Sequence, residues 1–369
     1  MKNKYLKIFL RKSEQLLKKP INQYLKNNLN PVLISTQTQI FNQENIKKIL
    51  LLRHDRLGDL VISNPFIKQL RKSFPDLKID IVLSEKNFSG KRCIEKHIDG
   101  IFVKQRTVRS LFKIIRKINS SHFDMVIDLL ENKSTTSDFL LKNINSQFKL
   151  GFDKANRSSY THVVQLQSKK KNHPVERLYN LLLPFKIQVS NEIKLEYPLS
   201  EDEIIKSEEL LGIKKEDFIR IGINLSGSAI ERYWGSENFI KLINRIKDTD
   251  IRAEIVIFTT VGYKKALSEI NISTNSIPAP FVNNLNLFVA MLNTCDFIIT
   301  PDTSVIHISS ALGIPCVALY SYDIDNDGIP WSPYKVPNRI INDPSGLTNI
   351  TVESVFEAFN DLFNEISKK

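Results

Sequence analysis

Short, uninterrupted runs of branched apolar residues, each followed by a polar loop and then an amphipathic stretch, recur along this chain. That alternation restricts its fold more than any other feature. Residues 49–52, Ile-Leu-Leu-Leu, have no polar face, which is the pattern of a strand covered on both sides in a parallel sheet. A polar loop at 53–58 and a helix over 59–73, stopped by Phe74 and Pro75, come next. Further strands are predicted at 78–83, 101–103, 124–130 and 149–152, with helices at 107–118, after the polar loop 131–137, and at 174–185. The Ser/Lys-rich stretch 156–173 fits neither pattern. The order then starts again with a helix at 201–211, a strand at 219–224, a Gly/Ser turn at 225–228 and a helix at 236–246. A strand at 253–259, helices at 263–270 and 285–294, strands at 297–299 and 316–320 and a helix at 352–366 complete it. Strands alternating with helices imply parallel sheets with right-handed crossovers. Two such sets of similar size imply an α/β chain of two Rossmann-like lobes facing each other across a cleft. The expected divisions are a basic extension at 1–45, a first lobe at 46–190, a second at 191–350 and a C-terminal helix at 351–369.

With 369 residues, 42% apolar and 25% charged, the chain has the composition of a soluble globular protein of two domains. No apolar run approaches the ~18 residues needed to cross a bilayer, and the N-terminus has no secretory-signal pattern. Cys93, Cys295 and Cys316 lie far apart without CxxC spacing, and read as small buried hydrophobes in a reducing compartment. Residues 1–48 hold +8 of the formal +12 charge. Leu6, Phe9, Leu10, Leu16 and Leu17 interleave with those cations, so residues 1–30 read either as a basic amphipathic helix on an anionic membrane or as a solvated tail. The Asn/Gln/Thr-rich stretch 34–45 reads as a linker. No nucleic-acid motif accompanies the charge.

Two stretches carry candidate chemistry. In 296–315, DFIITPDTSVIHISSALGIP, a buried strand runs through Thr300-Pro301-Asp302 into a helix stopped by Gly313 and Pro315. Asp302 is the expected N-cap. Thr303 and Ser304 are small hydroxyl residues that let a phosphate approach the helix's free N–H groups at a strand's carboxyl end, and His307 lies one turn beyond Thr303. In the other stretch Gly58 permits close backbone approach and Asp59 sits in a helix's first turn, where an acid also complements the helix dipole. The cleft is expected to join Asp59 from one lobe to the Asp302 helix of the other.

With those residues assembled, the chain resembles glycosyltransferase family 9, the heptosyltransferases of the lipopolysaccharide inner core. Three segments between about 47 and 345 carry the resemblance: ILLLRHDRLGDLVISNPFIKQLRKSFP, INLSGSAIERYWGSENFIKLI and TPDTSVIHISSALGIPCVALYS. The resemblance implies a two-lobed GT-B fold and an inverting transfer of a heptose from an ADP-heptose-like donor to a lipopolysaccharide-core or related acceptor. It places the general base on Asp59 and the donor-diphosphate contact on Arg232. The rest of the donor site falls on Asp302, Thr303, Ser304 and His307, with Ser226 and Ser228 in the small-residue turn. The family's ribose-binding Glu has no counterpart in Thr260 to Lys265, and the basic extension is atypical of the family.

The chemistry needs a base for the acceptor hydroxyl and positive charge for the leaving diphosphate. Asp59 suits the first. Arg232 and the turn at 303–304 suit the second without a metal or resident cofactor. Arg53 and Arg56 suit an anionic glycolipid acceptor. His54 and Asp55 border the cleft, touching ligand or only shaping the loop. Trp234 is expected to pack rather than stack on ligand. Asp323, Asp325 and Asp327 are read as a solvated turn before a metal pair. The expected setting is cytoplasmic, at the inner membrane's cytoplasmic face. Alternatives are a non-catalytic nucleotide-sugar module and a GT-B enzyme using another sugar.

Overall fold

Ile49, Leu50, Leu51 and Leu52 are all fully buried, as a strand without a polar face must be. They belong to strand β2 (Lys48–Leu52), which follows β1 (Val32–Ile34) and leads into helix α1 (Leu57–Ser73). Then come β3 (Lys78–Ser84), β4 (Gly100–Lys104), α2 (Val108–Ser120), β5 (Met125–Asp128), α3 (Thr135–Asn143), β6 (Phe148–Phe152), β7 (His162–Val164) and α4 (Pro174–Leu178). The seven strands form one parallel sheet in the order β1-β7-β6-β5-β2-β3-β4. The computed structural model describes residues 29–37, 40–42, 44–188, 193–227, 232–323 and 331–368.

The second lobe runs through α5 (Glu201–Leu211), β8 (Ile219–Asn224), α6 (Ser236–Lys247), β9 (Ala253–Phe258), α7 (Lys264–Thr274), β10 (Ile277–Pro278) and α8 (Leu285–Asn293). It ends with β11 (Phe297–Pro301), α9 (Ser304–Leu312), β12 (Cys316–Tyr320), β13 (Asn338–Asn342) and α10 (Val352–Ser367). Its six strands are also parallel, in the order β10-β9-β8-β11-β12-β13. Two doubly wound sheets, each with its own carboxyl edge, make the α/β architecture of two facing Rossmann-like lobes.

Three expectations need correction. Residues 34–45 are not a plain linker. Val32 to Ile34 pair in parallel with His162 to Val164, and Phe41 is fully buried, its ring 5.0 Å from Phe148 and 5.5 Å from Phe185. The first lobe therefore starts before residue 46, and its earliest strand escapes notice because three residues give too short a pattern to read. The helix expected at 174–185 is α4 followed by a 3₁₀ turn over Tyr179–Leu182. The closing helix is not a separate unit. Phe359 of α10 lies 5.7 Å from Phe297 of β11 and shares a core with Trp234, Leu242 and Leu319 of the second lobe.

A single apolar cluster runs through both lobes, from Ile49, Leu60 and Phe66 to Val305, Ile306 and Met291. Helix α1 is its pivot, with every residue from Gly58 to Ile67 buried. Arg92 Nη2 donates to Glu203 Oε1 of α5 at 3.0 Å, and His173 Nε2 donates to the Ser332 carbonyl at 3.0 Å. The carboxyl ends of the two sheets are thereby held toward each other.

Candidate active site

The loop leaving β2 turns on a buried guanidinium. Arg53 is 2% exposed; its backbone N–H donates to the Val82 carbonyl at 3.0 Å and its carbonyl accepts from Asn87 Nδ2 at 2.7 Å. Its Nη1 donates to Asp55 Oδ2 at 3.0 Å and lies 4.0 Å from Asp59 Oδ1. Arg56 is the N-cap of α1, and its N–H donates to Asp59 Oδ2 at 3.2 Å. Asp59 thus sits in the first turn, where an acid favours the helix dipole. Burial nevertheless pushes its carboxyl up to about 7, helped by the charge of Asp55 and opposed by Arg53. A carboxyl poised near neutrality can take a proton and release it.

Across from it stands α9. The ideal Cβ of a residue at Gly58 would lie 2.7 Å from His307 Cδ2 and 3.7 Å from the Ser304 Cα. The N-terminal turns of α1 and α9 are therefore in van der Waals contact, and only a residue without a side chain fits between them. The cap of α9 is Thr303, whose Oγ1 accepts from the Val305 N–H at 3.1 Å. This corrects the expectation for Asp302, whose carboxylate is drawn instead to Arg232 Nη1 at 2.6 Å and to the Tyr322 hydroxyl at 3.1 Å. Burial raises the Asp302 pKa; Arg232, the Tyr322 hydroxyl and, from the other lobe, Arg56 oppose that rise. Arg232 also donates to the Asp302 carbonyl at 3.0 Å.

Ser226 joins the same cluster through Asn224, the last residue of β8. Asn224 Oδ1 accepts from the Ser226 hydroxyl at 3.1 Å, while Nδ2 donates to Thr300 Oγ1 at 2.9 Å and Thr303 Oγ1 at 3.4 Å. Ser228, Asp325 and Asp327 lie outside the described residues, as do residues 1–28. His307 is buried with its Nδ1 unpartnered among the described residues, and burial lowers its pKa to about 3, so the ring is neutral. Behind it His173 accepts from the Val175 N–H at Nδ1 and stacks on Tyr334 at 4.6 Å.

Asp59, Arg53, Arg56, Asp302, Thr303, Ser304, His307, Arg232 and Ser226 therefore meet where the two sheets' carboxyl edges converge. His54 does not face them. Its Nε2 lies 3.1 Å from Ser137 Oγ inside the first lobe, and burial lowers its pKa. Trp234 packs as expected, fully buried, with Nε1 donating to the Ile350 carbonyl at 2.9 Å. Asn224, Thr300 and Tyr322 were not singled out in the sequence. The one signal was a polar Asn closing the strand after Ile221-Gly222-Ile223.

Two parallel α/β lobes meeting at their carboxyl edges define the GT-B class of glycosyltransferases, and solved structures share that fold. A glycosyltransferase family 9 structure from Veillonella parvula superposes with a TM-score of 0.73 at 24% identity, over 86% of this chain and 98% of the other. Escherichia coli ADP-heptose lps heptosyltransferase II superposes with a TM-score of 0.66 at 18% identity, over 87% and 99%. The sequence profile of glycosyltransferase family 9 (heptosyltransferase) matches residues 111–346, so the chain belongs to that family. Lipopolysaccharide heptosyltransferase 3 of E. coli is 22% identical over 297 residues, spanning 75% of this chain and 83% of the relative. By family the protein is a glycosyltransferase.

Proposed function

We propose that this glycosyltransferase moves a heptose, with inversion, from an ADP-heptose-like donor to an anionic lipopolysaccharide-core or related acceptor, with Asp59 as general base. One observation carries the reading: a desolvated carboxyl with its pKa near neutrality stands at the first turn of one lobe, against the helix start of the other that bears Thr303, Ser304 and the Arg232 pair. In the step, Asp59 takes the proton of the acceptor hydroxyl while that oxygen bonds to the anomeric carbon. The bond from that carbon to the diphosphate oxygen breaks, and its electron pair leaves with the nucleotide diphosphate. Arg232 uses Nη1 for Asp302, and a guanidinium has two further donor nitrogens to offer a phosphate. The first-turn N–H groups and hydroxyls at 303 and 304 supply further donors to that charge, so the reading requires no metal. Neutral His307 supplies a ring nitrogen without adding charge. Arg53 and Arg56 draw the anionic acceptor toward Asp59. Such a donor is cytoplasmic, and so is the protein in this reading.

The test is Asp59→Asn assayed with a panel of nucleotide sugars. Turnover should fall by about 10²–10⁴-fold while donor affinity stays unchanged. A purine diphosphate sugar should raise the melting temperature of both forms without added Mg²⁺. Unchanged turnover removes Asp59 as base. Donor binding without turnover in either form indicates a non-catalytic module, and a response to a different sugar redirects the donor assignment.

A further inference from the structure

The segment 101–123 contains Lys104, Arg106, Arg109, Lys113, Arg116 and Lys117 and no acidic residue. It comprises most of β4, the outermost strand of the first sheet, and α2, whose start is fixed by Thr107 Oγ1 accepting from the Ser110 N–H at 3.2 Å. Ile114, Ile115 and Ile118 turn inward onto Leu50, Val82 and Val126. That leaves Arg109, Lys113, Arg116 and Lys117 exposed on the outer face. Apolar groups stand among these cations where water should expel them: Val108 is 66% exposed, Phe112 57% and Val103 37%. Two shallow depressions flank Arg116, one bordered by Phe102 and Lys113, the other by Phe112 and His122. Among the described residues none of the five cations from Arg106 to Lys117 has an acidic partner within 4.0 Å. Because the helix follows the carboxyl end of β4, this face starts at the rim that bears the candidate active site.

We infer that the outer face of α2 is a docking surface for an anionic lipid bilayer, seating Phe112 and Val108 at the headgroup boundary and the cations against lipid phosphates. Cations alone would serve any polyanion. Interleaved exposed apolar side chains are the mark of an interfacial helix, because they gain only where hydrocarbon is within reach. The surface borders β4, whereas β1, the earliest described strand, lies at the opposite edge of the sheet. It would bring the mouth between the lobes to the plane where a lipid-linked acceptor lies.

Binding of the full chain to vesicles, without donor or acceptor, tests the surface separately from the catalytic reading. The protein should sediment with vesicles of equal parts phosphatidylglycerol and phosphatidylcholine and remain free with phosphatidylcholine alone. The triple variant Arg109→Gln, Lys113→Gln, Arg116→Gln should melt as the parent does and bind those vesicles roughly a hundredfold more weakly, since each surface cation contributes about a fivefold factor. Fluorescence of a Phe112→Trp variant should shift to the blue on the anionic vesicles and stay in place on duplex DNA. Full vesicle binding by the triple variant overturns the inference and assigns any binding to the N-terminal segment. An unshifted emission on anionic vesicles overturns it as well, leaving the face a nonspecific polyanion contact.

Discussion

Asp59 is held in a conflict between its environment and its charge. Folding raises its pKa from 3.8 to about 7, chiefly by removing it from water, so the folded chain binds that proton more tightly than the unfolded one. Stability from this group is therefore greatest at low pH, declines as pH climbs through that interval, and levels off above about 7. Asp59→Asn should consequently raise the melting temperature by about a few degrees at pH 8 and by roughly two-fifths as much at pH 5; a gain at pH 5 equal to that at pH 8 would remove the desolvation argument. The catalytic counterpart has the opposite sign. With Asp59 as base, kcat/KM should rise roughly tenfold per pH unit below about 7 and then flatten, as read from initial rates across pH. The acid itself was legible in the sequence, as the residue after a glycine at a strand-to-helix turn. Its poise was not, because it comes chiefly from burial that only the folded packing supplies, with Asp55 adding to the rise and Arg53 opposing it. Asp302 and Thr303 teach the same lesson. Both are good capping residues in adjacent positions, and the choice between them is made by Arg232, 70 residues away in the chain.

At the scale of elements, the contact of α1 with α9 is the arrangement most sensitive to a small change. Glycine to alanine inside a helix normally stabilises, by limiting the unfolded chain. At Gly58 the added methyl would meet His307 Cδ2 at 2.7 Å. Gly58→Ala should therefore destabilise by about 1–3 kcal/mol and reduce turnover, measured by denaturant unfolding and by nucleotide release. Combining it with His307→Ala should recover most of the stability lost, because the clash is gone; additive losses would mean that the two helices do not meet there. The helices themselves were readable, since α1, α2 and α10 carry long periodic patterns. The short strands were not. β13, Asn338 to Asn342, is half-exposed and polar at both ends, and β7 has three residues, so neither gives the uninterrupted apolar run that marks a covered strand.

For the whole molecule, two lobes suggest two independently folding units, yet the apolar cluster on α1 continues into residues of β9, α8 and α9. The lobes are joined by core and not by a linker alone. Calorimetry should accordingly show one unfolding transition with matching calorimetric and van't Hoff enthalpies. Two resolved transitions would show that the shared cluster contributes little cohesion. The doubling of the α/β pattern was plain in the sequence; the continuity between the halves was not, since side chains that bridge lobes look the same as those that fill one. The first sheet also imposes an order on synthesis. The strand at 32–34 is made early, but its only neighbour in the sheet is 162–164. Until the ribosome has released that later stretch, the nascent chain carries an open strand with Ile34, which the finished fold buries, left uncovered. Chaperones or a nearby bilayer would meet this part of the protein before its own sheet does.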